Sequence, residues 1–271
     1  MGDAIVLEQL PEIRLCGVRL HRISESDCVR CVVDSLQAGQ GGWLHTVNLD
    51  ILRLLVQDIG FAETCASTDL VVADGMPLVW ASRLARTPLP ERVAGSDLIS
   101  SLSSAVGQVG GSIFLLGGNE GTAEETGRIL VANNPGLRLV GCYCPELGFE
   151  KDAAVMAEIG ERLSKAQPDI VFVALSVPKT ENFIQRMRPL LPKTWWVGVG
   201  ISFSFLTGDV SRAPRWMQKV GLEWLHRLLM EPRRLARRYL VEDVPFVFRL
   251  LTGAFWRGLF NKHRQLDQRG T

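Results

Sequence analysis

The stretch VVADGMPLVW, residues 71 to 80, ends an apolar run on Asp74, then continues through Gly75 and the helix-starting Pro77. A carboxylate there is either a turn residue before glycine or a group that meets a ligand at the mouth of a strand. Thr46 and Asn48 in TVNLD divide in the same way, between capping the next helix and contacting a ligand. In RVAGSDL, Asp97 stands behind Arg92 and Gly95, where accepting backbone N–H groups as an N-cap is the cheaper explanation and a pocket role the other. FLLGGNEGTAEE, with Gly117, Gly118 and Gly121, is a glycine-rich turn from a strand into a helix, where backbone N–H groups could hold a diphosphate. Its spacing is not GxGxxG and no Walker lysine follows, so a plain turn fits it equally. SVPKTENF places Pro178, Lys179, Thr180 and Glu181 after another strand, with a solvated helix start as the ordinary reading. Near the C terminus, Arg227, Arg234 and Arg237 are seven and three residues apart, so a continuous helix gathers them on one side unless Pro232 interrupts it. Guanidinium forks suit phosphate oxygens; a solvated basic helix competes with that reading.

The elements that must position these groups alternate along the chain. Strand-like runs lie at 43–47, 69–73, 112–117, 137–143, 169–175 and 195–200, separated by segments with helical apolar spacing. A further short β element is expected in IRLCGVRLHRI, followed by a helix with Ser24 as N-cap and Gly39 as the stop. The pattern predicts an α/β fold: a mostly parallel, doubly wound, Rossmann-like sheet with a C-terminal helical appendage. Ligands of such sheets gather outside the carboxyl ends of the strands. That rule puts Asn48, Asp74, Gly75, Gly117, Gly118, Pro145, Pro178, Lys179 and Gly200 on one rim. The expected division is an α/β domain over residues 1–211 and a basic, aromatic helical segment over 212–271.

Composition bounds the function. The 271 residues are 46% hydrophobic and 22% charged with a formal net charge of +1, which supports a large core and gives no global case for nucleic-acid binding. The first residues carry acids where a secretory signal carries bases, and no apolar run is long enough to cross a bilayer, so no signal peptide or spanning helix is expected. Val6 sits where a myristoylation signal needs Ser or Thr. CVRC and CYC read as reduced structural thiols rather than a zinc site, and His21, His45, His226 and His263 show no ligand spacing.

The motifs TVNLD, VVADGMPLVW, ERVAGSDL, FLLGGNEG, PDIVFVALSVPKTE, VGVGISFSFLTGDVSRAP and GLEWLHRLLMEPRRLARRY occur in this order. The series resembles the WecG/TagA/CpsF family of bacterial glycosyltransferases over nearly the whole chain. The resemblance implies transfer of a sugar, of ManNAc, ManNAcA or glucose type, from a UDP-sugar to a polyprenyl-diphosphate-linked sugar, with inversion and without a metal or other cofactor. It implies peripheral attachment at the cytoplasmic face of the bacterial inner membrane, in synthesis of a surface polysaccharide. The absence of an Asp-x-Asp pair agrees with metal independence. Asp74 matches the family's catalytic base, taking a proton from the acceptor hydroxyl. Thr46, Asn48, Arg92, Gly95, Asp97 and Thr180 match substrate-pocket positions. Gly117, Gly118, Gly121, Pro178, Lys179, Glu181 and Gly200 are similar to the part that receives UDP, and Arg227, Arg234 and Arg237 to arginines that neutralise the lipid diphosphate. Two positions depart from the pattern: Thr180 replaces a Gln in Pro-Lys-Gln-Glu, and Ser204 replaces an Asp after Phe203.

In the tail, Phe246, Phe248, Phe255, Trp256 and Phe260 are interleaved with basic residues, which fits a segment lying on anionic lipid. Packing on the core or on an oligomer partner is the alternative. Two other functions compete with the enzyme reading: a non-catalytic UDP-sugar-binding membrane scaffold, and a nucleotide-dependent oxidoreductase, which would need the dinucleotide fingerprint the chain lacks.

Overall fold

Runs of β-branched and aromatic residues become strands here because both of their faces are covered. The computed structural model describes residues 7–267, with the side chains of 8, 219, 234 and 261–267 outside that description. A first hairpin, β1 (Glu12–Leu15) with β2 (Val18–His21), is a separate antiparallel pair. His21 ties it to the main sheet, its Nδ1 accepting from the Val71 N–H at 2.9 Å. The main sheet consists of β3 (Gly42–Val47), β4 (Leu70–Ala73), β5 (Ser112–Gly117), β6 (Arg138–Tyr143), β7 (Ile170–Ala174) and β8 (Trp195–Gly198). Its order is β4-β3-β8-β7-β5-β6, every pair parallel. These are the six runs expected from the sequence.

The connections are helical: α1 (Glu25–Gln37), α2 (Leu49–Gln57), α3 (Ile59–Thr64), α4 (Met76–Leu84), α5 (Gly95–Gln108), α6 (Thr122–Asn133), α7 (Ala153–Ala166) and α8 (Lys179–Met187), with α9 (Ser202–Thr207) after the last strand. Ser24 caps α1 as expected, accepting from the Asp27 N–H. Alternate strand residues feed two cores. Trp43, Val47, Val71 and Val173 pack with α2, α4, α7 and α8 on one face. Leu44, Val72, Leu115 and Phe172 pack with α1, α5, α6 and α9 on the other. Cys28 and Cys31 are core residues of α1; burial pushes both thiols up, Cys31 to about 11, so they stay protonated packing groups.

The C-terminal segment is α10 (Arg215–Lys219), α11 (Glu223–Met230), α12 (Pro232–Ala236), a π-helical turn (Arg237–Asp243) and α13 (Val244–Asp267). Pro232 ends the continuity that would have stacked the arginines: it opens α12 after Glu231 leaves helical geometry at φ −131° and ψ 58°. The π turn sits just before Pro245, whose missing N–H and bulky ring cannot continue an α-helical ladder. Phe246, Leu250 and Ala254 recur at helical spacing and enter the α2/α4 core. The opposite side of α13 stays in solvent, with Phe248, Phe255, Trp256 and Phe260 all exposed. The compositional boundary near residue 212 therefore lies within a continuous packed structure, and among the tail aromatics Phe246 is a core residue.

Candidate active site

Asp74 follows β4, its N–H donating to the Val47 carbonyl at 2.8 Å while the Val93 N–H reaches Ala73 at 2.9 Å. Gly75 makes the turn at φ +137° and serves as the N-cap of α4 without any side-chain cap. The carboxylate is thus not spent on the turn. Its side chain is 27% exposed and lines a cavity of about 920 Å³ outside the carboxyl ends of the strands. Burial, the largest influence, raises Asp74 to about 6; Arg92 pulls it down, Glu223 and Asp97 push it up, and the Gly95 backbone N–H lowers it. A carboxylate at about 6 is ionised at neutral pH and more basic than an ordinary one.

The surrounding charges are interlocked. Arg92 lies 3.9 Å from Asp74, 3.0 Å from Asp97 and 2.9 Å from Glu223. Arg212 completes the set, 2.6 Å from Asp97 and 3.6 Å from Glu223. Three carboxylates therefore share two guanidinium groups, and Glu223 brings α11 against the rim of the sheet. A second cluster holds the π turn to α2: Arg53 contacts Asp50 at 2.6 Å, Glu242 at 2.9 Å and Asp243 at 3.4 Å, and Arg238 reaches Asp50 at 3.5 Å. Burial raises Asp243 to about 6, Asp50 adding to the rise and the arginines Arg238 and Arg53 opposing it. These two clusters hold the C-terminal segment beside the cavity.

The other rim residues divide by what they do. Thr46 Oγ1 donates to the Gly198 carbonyl at 3.4 Å. A Cβ on Gly95 would stand 3.1 Å from that carbonyl and 3.3 Å from Thr46 Oγ1, so glycine lets α5 start against β3 and β8. Asn48 is an N-cap, its Oδ1 accepting from the Ile51 N–H at 2.9 Å, and it also lines the cavity. Asp97 borders an adjoining pocket of about 450 Å³ with Ser96 and Arg212.

Gly117 and Gly118 line the main cavity and Gly121 does not. The Gly118 N–H is taken by the Ala174 carbonyl at 2.9 Å, and the first turn of α6 carries Glu124 and Glu125, so this turn is a poor diphosphate cradle. What the glycines supply is room, because a Cβ on Gly117 would come 2.6 Å from the Ala174 oxygen at φ +88°. Gly117→Ala is expected to lower stability by about 2–3 kcal/mol in thermal or denaturant unfolding.

Lys179, Thr180, Glu181 and Gly200 all line the cavity and Pro178 does not. Lys179 Nζ pairs with Glu150 at 2.5 Å. Thr180 and Ser204, the two departures from the family pattern, are both buried on the wall. Arg227 lines the cavity, whereas Arg237 is exposed and outside it; Arg238 takes that place, its guanidinium 4.9 Å above the Tyr239 ring. Arg234 belongs to α12, with its side chain outside the described residues.

Sequence reasoning missed Arg212, Glu223, Arg238 and the environment of His45. The available signal was weak: Glu223 and Glu231 are acids in a largely basic segment, and Arg212 follows α9 in DVSRAP.

The chain matches the sequence model described as the Glycosyl transferase WecG/TagA/CpsF family over residues 13–259. It is 32% identical over 197 residues, 73% of this chain and 75% of the other, to an N-acetylglucosaminyldiphosphoundecaprenol N-acetyl-beta-D-mannosaminyltransferase of Bacillus subtilis (strain 168). A protein of the same description from Bacillus spizizenii (strain W23) is 34% identical over 202 residues, 74% of this chain and 76% of the other.

Proposed function

Because the chain belongs to the WecG/TagA/CpsF family of glycosyltransferases, we propose that it transfers an N-acetylmannosamine-type sugar from its UDP donor to a polyprenyl-diphosphate-linked N-acetylglucosamine. Family membership sets aside the oxidoreductase and scaffold readings. The observation that carries the proposal is Asp74: a carboxylate that does not cap the helix following it, raised to about 6, on the wall of a cavity at the carboxyl rim. In the reaction, the acceptor hydroxyl oxygen attacks the anomeric carbon from the face opposite UDP. Asp74 takes the hydroxyl proton as the bond to the UDP oxygen breaks, and the electron pair of that bond leaves on UDP. A single displacement of this kind inverts the anomeric carbon. Charge developing on the diphosphate is met by the basic side chains that line the cavity, Arg92, Lys179, Arg227 and Arg238.

Screening UDP-sugars against a short-chain lipid-diphosphate N-acetylglucosamine, with EDTA present, tests the donor and metal independence together. The expected result is a disaccharide-lipid from UDP-N-acetylmannosamine with release of UDP; turnover with no donor would overturn the reading.

The reading includes peripheral attachment to the membrane. No helix among the described residues is long and apolar enough to cross a bilayer. Large exposed apolar side chains nonetheless crowd the C-terminal segment: Trp216, Leu229, Phe248, Trp256 and Phe260 are each 59% or more exposed. Interleaved arginines complete an interfacial composition. The full chain is expected to co-sediment with anionic vesicles, more weakly at high salt, and Trp256→Ser with Phe260→Ser to reduce that partitioning about tenfold or more. Retention in the supernatant with anionic vesicles would contradict attachment.

A further inference from the structure

Beneath the start of α8, His45 and Glu181 face each other, Nε2 to Oε1 3.4 Å apart, with side chains only 6% and 3% exposed. Among the described residues, neither His45 Nε2 nor Glu181 Oε2 has a hydrogen-bond partner, although both atoms are fully buried. Both residues line the main cavity. The Trp43 ring holds the imidazole from one side, the centroids 5.7 Å apart and the planes tilted by 33°. An unmet carboxylate oxygen and an unmet ring nitrogen, held in place by packing, are costly unless something occupies the site.

The chemistry of the pair selects the occupant. With Nε2 protonated, His45 offers a donor, and the Glu181 carboxylate offers only acceptors. A phosphate has no proton to give and is repelled by the carboxylate. A carbonyl cannot satisfy Glu181, and an amide N–H cannot satisfy His45. A hydroxyl does both, accepting from Nε2–H while donating to Oε2. We propose that His45 and Glu181 form a hydroxyl-reading subsite for the UDP-sugar, filled by a ribose or pyranose hydroxyl. The inference rests on the reading of this cavity as the UDP-sugar site. It assigns His45 a binding role and gives Glu181 a specific one.

The test measures binding of UDP, 2′,3′-dideoxy-UDP and UDP-N-acetylmannosamine to the full chain by calorimetry, for wild type, Glu181→Gln and His45→Gln, with thermal melts to establish folding. If the ribose fills the subsite, wild type binds UDP about tenfold or more tightly than the dideoxy compound. If the pyranose does, that margin appears between UDP-N-acetylmannosamine and UDP. Either variant is expected to erase the margin, and His45→Gln carries the test alone should Glu181→Gln fail to fold. Wild-type preferences preserved in a folded variant would overturn the subsite, the pair then holding only water. Wild type binding none of the three compounds would instead overturn the UDP-sugar reading itself.

Discussion

Asp74→Asn is expected to lower kcat by about a hundred- to ten-thousandfold while leaving the affinity for the UDP-sugar nearly unchanged. The amide keeps the shape and loses the basicity. Proton removal from the acceptor hydroxyl occurs only in the transition state, so its loss falls on kcat rather than on donor binding. The same substitution should not harm the fold. Asp74 is raised from an ordinary carboxyl value to about 6, so between roughly pH 4 and pH 6 the folded state binds more protons than the unfolded one. Stability contributed by this group therefore rises as pH falls through that window, and at pH 7 its ionisation costs roughly 1–2 kcal/mol, reduced by its partial exposure. Asn carries no such cost, so the variant should melt at or above the wild-type temperature at pH 7. A variant that unfolds would instead point to a structural role for the carboxylate.

Arg92→Ala has the larger effect on stability. Arg92 is 16% exposed and is shared by Asp74, Asp97 and Glu223, and removing it leaves Asp97 and Glu223 to Arg212 and takes from Asp74 the guanidinium that pairs with it. Stranding partly buried charges in this way is expected to cost about 2–4 kcal/mol. It also removes the main influence lowering Asp74 while Glu223 and Asp97 go on raising it, so the acid limb of activity should move to higher pH. Turnover at pH 7 falls, and part of it returns at pH 8. Arg92→Lys should restore more stability than Ala but less than wild type, because an ammonium cannot bridge as a planar fork does. Glu223→Gln acts oppositely on Asp74, lowering it and moving the acid limb to lower pH. Thermal melts and pH–rate profiles of these variants check each step.

The strands are legible because each is a compact β-branched run with helices between, and the carboxyl-rim rule locates Asp74 from the order of elements alone. Asn48 was ambiguous for a physical reason, since one side chain both caps α2 and lines the cavity. The charge clusters were not legible. Arg92 meets Glu223 across 131 residues and Arg212 meets Asp97 across 115, and no local periodicity encodes such pairings. The arginine stripe does not lie on one continuous helix because Pro232 opens a new one after Glu231 leaves helical geometry, and Arg238 rather than Arg237 lines the cavity. Phe246 and Phe248 look alike in sequence, yet helical phase buries one and exposes the other.

The dependence of kcat/KM on pH, which reports the free enzyme, measured for wild type and Asp74→Asn with UDP-N-acetylmannosamine and the short-chain lipid acceptor, tests the assignment of the base most directly. The wild-type rate should fall about tenfold per pH unit below an apparent pKa near 6, the value that burial gives Asp74, and the residual rate of the variant should lack that limb. An acid limb retained in Asp74→Asn, or wild-type turnover that stays flat from pH 5 to pH 7 (roughly one unit either side of that value), would contradict Asp74 as the base.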